Sequence, residues 1–121
     1  MSMNNTQRQI LNRQVMVDLI GDDAEMMRKF EIQFLQQAKA SLEKITVLFN
    51  KNKIAEIKEE AHFLKTSAKA VGAEQTADLL EALELIDLDK DKDKDKKQCK
   101  ERIILINRSL KQVYGAIINE S

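Results

Sequence analysis

Apolar residues recur every three or four positions along most of the chain, the period of an amphipathic helix. Over residues 8–20 they fall at Ile10, Leu11, Val15, Leu19 and Ile20, and the run stops at Gly21, a residue suited to a helix C-terminus. Asp22 or Asp23 is placed to cap the next helix, with Glu25 in its first turn near the positive end of the dipole. This second segment reaches about Asn50 and repeats Met27, Phe30, Phe34, Ala38, Leu42, Ile45 and Phe49 on one face. Polar "NKNK", residues 50–53, predicts a turn. A third helix follows over 54–71, where Ile54, Ile57, Ala61, Leu64, Ala68 and Val71 alternate three and four apart. That is the spacing of a bundle seam, and Gly72 ends it. A fourth helix, over 74–87, carries Ala77, Leu80, Leu83 and Ile86, and a fifth, over 98–118, carries Ile103, Ile106, Leu110, Val113 and Ile117.

Short connections between long amphipathic helices imply antiparallel neighbours. The expected fold is all-α, an antiparallel up-down four-helix bundle with a short extra N-terminal helix, and 121 residues fit one domain, 1–121. Composition agrees, because there is no proline to break a helix and few aromatic residues of the kind strands favour. Between the last two helices lies "DLDKDKDKDKK", residues 87–97. Asp87, Asp89, Asp91, Asp93 and Asp95 alternate as oxygen ligands do in a calcium loop. Starting that loop at Asp87, Asp89 or Asp91 puts lysine at its sixth position, where glycine is required, and Gln98, Lys100 or Arg102 at the twelfth, where glutamate closes the site. The interleaved lysines also oppose cation capture, so the stretch reads as a solvated, self-neutralising loop.

Charge narrows the choice of partner. Lysine plus arginine equals aspartate plus glutamate at 20 each, so no global field draws the chain to nucleic acid. No apolar run approaches the roughly 20 residues of a bilayer crossing. The polar start "MSMNNTQRQ" has no signal-peptide hydrophobic stretch, so a cytoplasmic chain without membrane contact is expected. Cys99 is the only cysteine, which excludes an internal disulfide and a cysteine-built zinc site. Its expected role is that of a small apolar residue at the start of a helix.

What chemistry remains falls to "EEAHFLKTSAKAVGA", residues 59–73, which holds His62, the one histidine. On a wheel at about 100° per residue, the apolar positions of the third helix cluster and His62 lies roughly 130° from their mean direction, toward solvent. Lys58, Lys65 and Lys69 stand four before, three after and seven after His62, on the same face. One reading is a solvated stripe that keeps the protein soluble. The other is an anion site around a nucleophile, since three cations disfavour protonation of an imidazole, preserve its neutral form and attract a phosphoryl group.

Several enzyme classes are excluded by counting. One histidine cannot build a histidine-rich zinc site, and "HExxH" is absent. No glycine-rich phosphate loop of the Walker or kinase type is present, so nothing points to nucleotide binding. No strained turn offers the serine of a triad, and a general-base histidine needs a concave site that a small bundle seldom provides. A surface nucleophile whose reaction partner is another protein fits better.

"AHFLKTSAKAVGA" resembles the signature of histidine-containing phosphotransfer (Hpt) domains of phosphorelays, roughly His-x-Leu-Lys-Gly-Ser-Ala with a glycine ten residues after the histidine. His62, Leu64, Lys65, Ser67, Ala68 and Gly72 match in register. "GDDAEMMRKFEIQFL" at 21–35 is similar to the start of that family's second helix, and "LLEALE" at 79–84 to its fourth. The resemblance implies that His62 accepts a phosphoryl group from a receiver-domain aspartyl phosphate and hands it to another receiver. Lys65 would stabilise the added negative charge. It also implies no cofactor on this chain, because receivers supply the magnesium, and no ATP-dependent kinase activity of its own. Contacts with receivers would be transient and the chain a monomer, either freestanding or the cytoplasmic module of a membrane-bound hybrid sensor kinase.

The chain departs from the family pattern at Thr66, where glycine is usual. Its hydroxyl is able to reach a phosphoryl oxygen, yet it adds bulk beside His62; the expectation is that the site tolerates it, with transfer rate or partner choice the properties it bears on. Glu84 stands where the family often has a polar residue contacting the histidine, which implies a ring-orienting role. The plainer reading is a solvent-facing glutamate. "HFLKTS" also resembles the His-Glu-Leu-Arg-Thr-Pro box of histidine kinase dimerisation domains, but Phe63 replaces the acidic neighbour, Ser67 replaces the proline, and no ATP-binding domain follows. A non-catalytic helical adaptor is the third reading. Phe63 and Val47 fall off the seams, and packing against the N-terminal segment or last helix is their plain expectation, a docking patch the other.

Overall fold

The strict seam of the third helix becomes the centre of the fold. In a computed structural model, which describes residues 8–89 and 91–119, Ile57, Ala61, Leu64 and Ala68 are fully buried and Val71 nearly so. The polar residues 1–7, Lys90 of the charged connection and the last two residues lie outside the described residues. The helix Ile54–Val71 is α3, and the others are α1 Arg13–Ile20, α2 Ala24–Asn50, α4 Glu74–Glu84 and α5 Lys92–Ile118. Around the ring, α2 packs on α3, α3 on α4, α4 on α5, and α5 returns to α2, while short α1 lies over α3 and α2. Gln37 meets Ser67 and Ser41 meets Glu60, so α2 and α3 run in opposite senses. The architecture is thus the all-α up-down bundle with a short N-terminal helix that the periodicity predicts. Every helix contributes to one core cluster among the described residues, in which each fully buried leucine or isoleucine is worth roughly 1.5–3 kcal/mol.

The departures lie at element ends and on two faces. Helix α1 begins at Arg13 rather than at residue 8, because residues 8–12 run without helix as a strap over the α3–α4 turn. The Asn12 N–H donates to the Gly72 carbonyl at 2.7 Å, and the Gln75 N–H to the Gln9 carbonyl at 3.0 Å. Glu74 accepts the Gln9 N–H and the Asn12 side-chain amide, each at 3.0 Å, and Arg8 pairs with Asp78 at 2.9 Å. Main-chain groups that a helix would pair internally find their partners across the turn instead. The strap needs Gly72 twice over. Its φ of 83° is left-handed, and a Cβ there would lie 2.0 Å from the Asn12 carbonyl oxygen.

Met16 is the buried residue of α1, and Leu19 is 64% exposed instead of facing the core. Helix α2 is capped by Asp23, whose carboxylate accepts the Met26 N–H at 3.0 Å, and its buried face keeps Met27, Phe34, Ala38 and Ile45 of the expected set but adds two polar residues and leaves Phe30 out. Phe30 is 40% exposed, while Met27, Glu31, Phe34, Ala38, Ser41 and Ile45 are buried. Glu31 and Ser41 are tolerated inside because each has a partner. Arg13 of α1 reaches Glu31 at 2.8 Å, and the Ser41 hydroxyl donates to Glu60 at 2.7 Å.

Helix α4 ends at Glu84 rather than 87, and the carbonyl of buried Ile86 accepts from the Lys58 ammonium. The charged stretch is not a loop through residue 97, since α5 starts at Lys92 and not at 98. The Asp91 side chain caps it by accepting from the Asp93 and Lys94 N–H groups, and Asp93 and Asp95 occupy its first turn. Asp95 is buried and accepts the Asp89 N–H at 2.9 Å. Cys99 therefore sits inside α5, fully buried, and burial pushes its thiol up to about 11.

Candidate functional site

Helix α3 presents His62 to solvent because its apolar positions claim the opposite side. The His62 side chain is 62% exposed, and its Nδ1 lies 2.7 Å from Oε2 of Glu84 on α4. The other carboxylate oxygen, Oε1, is buried and faces the Lys65 ammonium at 2.6 Å, and that ammonium also lies 3.8 Å from Glu81. Glu84 thus bridges two residues of α3 that are three apart, one on each oxygen. Its side chain is 22% exposed and that of Lys65 13%, so the bridge is tucked between helices while the imidazole stands out.

Electrostatics follow from these contacts. The Lys65 ammonium first, helped by the His62 ring, holds the Glu84 carboxyl below the usual carboxylate range, although burial works the other way. The hydrogen bond to Glu84 raises Lys65 above its ordinary value. Glu84 is therefore ionised at neutral pH, and an ionised carboxylate only accepts hydrogen bonds. In the neutral form of His62 the proton therefore lies on Nδ1, toward Glu84, and Nε2 holds the free lone pair.

Of the residues singled out from sequence, His62, Lys65 and Glu84 come together. Glu84 is not the solvent-facing side chain that is its plainer reading. Lys58 does not join them, since its ammonium is bound to the Ile86 carbonyl at the end of α4. Lys69 is exposed on the last turn of α3, where a cation complements the negative end of the dipole. The Thr66 hydroxyl donates to the His62 carbonyl at 3.3 Å, so it is engaged with the backbone. Phe63 and Val47 are 57% and 51% exposed, and neither fills the packing role expected of it. Sequence reading missed Glu81, one turn before Glu84 and on the same side of α4. Among the described residues no group of histidine, cysteine and carboxylate side chains is arranged to hold a metal ion, and no described helix is long and apolar enough to cross a membrane.

The family model for the Hpt domain matches residues 32–116. The chain belongs to the Hpt family. No curated protein and no solved structure matches it significantly. The Hpt match takes in all of α3 and α4 with most of α2 and α5, and leaves the strap, α1 and the start of α2 outside. An Hpt domain implies histidine phosphotransfer in two-component signalling, with receiver domains as its general kind of partner. His62 is the only histidine in the sequence.

Proposed function

We propose that His62 is the phosphoacceptor of a relay, taking a phosphoryl group from the aspartyl phosphate of one receiver domain and passing it to an aspartate of another. The observation that carries this reading is an exposed ring whose Nδ1 is held at 2.7 Å by Glu84, which leaves Nε2 as the nucleophile. The Nε2 lone pair attacks phosphorus, the N–P bond forms, and the acyl phosphate O–P bond breaks with its electron pair returning to the receiver's carboxylate. No proton has to leave Nε2, because the proton sits on Nδ1 throughout.

The phosphorylated ring is cationic, and Glu84 beside Nδ1 offsets that charge. Lys65 stabilises the phosphoryl oxygens by exchanging part of its contact with Glu84 for them, and Lys69, one turn further along α3, adds a second positive charge. In the forward step the second receiver's carboxylate attacks phosphorus and the N–P electron pair returns to Nε2. Magnesium belongs to the receivers, the chain acts as a monomer, and each encounter is brief so that partners can exchange.

Incubation with a phosphorylated receiver should place an acid-labile, base-stable label on the wild type and none on His62→Gln. Absence of label on wild type across several receivers overturns the reading and leaves a helical adaptor.

A further inference from the structure

Helices α2 and α5 are each 27 residues, about 40 Å long, yet they pack least closely of the neighbouring long helices. Between them lies a groove of about 420 Å³, open to solvent. Its floor is Ala38 and Leu110, both buried, and its sides are Leu35, Leu42 and the half-exposed Tyr114. These positions recur with helical spacing on both sides, at 35, 38 and 42 on α2 and at 107, 110 and 114 on α5. Parallel ridges of that period accept a third helix laid along them.

Charge says what kind of helix. Lys39 on α2 and Lys111 on α5 line the groove, both exposed, and no carboxylate lines it. A second copy of this chain, docked through the same patch about a two-fold axis, would bring Lys39 and Lys111 against their own equivalents, which like-charge repulsion opposes. The groove also shares no residue with the His62 site, which lies between α3 and α4 across the bundle.

We propose that the α2–α5 groove is a second docking site, for an amphipathic helix of a partner protein that carries an apolar stripe flanked by aspartate or glutamate. The stripe fills the groove over Ala38, and the carboxylates pair with Lys39 and Lys111. Such a partner stays bound while receivers come and go at His62, and so fixes where the relay operates without blocking it.

Tyr114 supplies the test, because it is the only tyrosine and the chain has no tryptophan. The probe is a synthetic helical peptide of about 18 residues, free of aromatic residues, with leucine at helical spacing and glutamate beside it. Its counterpart has lysine in place of glutamate. The acidic peptide should change Tyr114 emission saturably and shield it from acrylamide, and the basic peptide should do neither. The double variant Lys39→Glu, Lys111→Glu, whose sites are exposed, should keep its thermal transition, lose roughly tenfold or more in affinity for the acidic peptide and gain affinity for the basic one. Labelling of His62 by a phosphorylated receiver should be unchanged with the peptide bound. The proposal is overturned by no saturable response, by equal binding of both peptides, by sedimentation showing a dimer that hides Tyr114, or by competition between the peptide and a receiver.

Discussion

Glu74 and Glu84 sit ten residues apart on α4, and both carboxyls are held below their ordinary range, by different means. Glu74 is in the first turn, where the helix dipole itself favours an anion. Burial works against it, but the Gln9 N–H, the Asn12 amide and the charge of Arg8 more than compensate. Glu84 is the last residue of the helix, where the dipole disfavours an anion, and it is held there by Lys65 and His62 from α3. The contrast is instructive. Both carboxylates draw on partners outside α4, but Glu74 has the dipole of its own helix in its favour, whereas Glu84 is held by α3 against that dipole. Glu74 fastens a strap that the Hpt family match does not include, and Glu84 holds the exposed His62 ring within it.

If that division is right, damage at the strap end should unfold the protein and damage at the ring end should slow it. The largest effect is expected at Gly72. An alanine there must adopt the left-handed conformation and put its Cβ 2.0 Å from the Asn12 carbonyl oxygen, so the strap has to lift. Gly72→Ala should cost about 3 kcal/mol in chemical denaturation, while the folded fraction still takes up label on His62. Undiminished stability would mean that the strap is dispensable.

Glu84→Gln comes next. The amide keeps the size of the side chain, removes the charge that neutralises the phosphorylated ring, and no longer fixes Nδ1 as the donor. Transfer from a phosphorylated receiver should fall roughly tenfold, equivalent to about 1.4 kcal/mol in the barrier, with stability changed by less than about 1 kcal/mol, since the isosteric amide can still accept from Lys65 and His62. A stability loss as large as the rate loss would make Glu84 a structural residue like Glu74 and dissolve the contrast.

Glu74→Gln should do the reverse, lowering stability by about 1 kcal/mol and leaving transfer alone. Its signature is pH. The folded carboxyl titrates lower than the unfolded one, so its stabilisation is present above the unfolded value near ~4.3 and disappears as pH falls through the folded value. The acid limb of the stability curve should therefore be shallower in the variant. An identical limb would mean that Glu74 contributes nothing to the strap.

How much of this was legible follows the same line. The α3 seam was readable because every one of its apolar positions faces a neighbour, and the solvent-facing direction of His62 followed by subtraction. The α2 face was readable at Met27, Phe34, Ala38 and Ile45 but not at buried Glu31 and Ser41, whose partners sit on other helices, which periodicity of apolar residues cannot register. The early start of α5 was hidden for a related reason. Alternating charges looked like solvated loop, but Asp91, Asp93 and Asp95 are a cap and a first turn, each aspartate placed where the emerging dipole wants it. Lys58 shows the limit of a wheel. It gives the direction of a side chain but not the height of the neighbouring helix, and the end of α4 comes level with Lys58 and takes its charge. The strap was unreadable, since its hydrogen bonds to the α3–α4 turn join residues 60 or more positions apart.

The smallest effect is expected at Thr66, and it tests whether the ring end is limited by approach. The threonine hydroxyl is engaged with the His62 carbonyl, so in the resting protein the side chain contributes volume one turn from the ring rather than a donor aimed at incoming phosphate. Thr66→Gly should speed transfer roughly threefold, under 1 kcal/mol in the barrier, and lower stability by about 0.4 kcal/mol through helix propensity. Thr66→Ser separates the two parts of the side chain. If volume is what matters, serine should fall between threonine and glycine in rate. If instead serine matches threonine and glycine is slower than both, the hydroxyl leaves the backbone during transfer to bond a phosphoryl oxygen, and Thr66 joins Lys65 among the groups proposed to meet the migrating phosphoryl group.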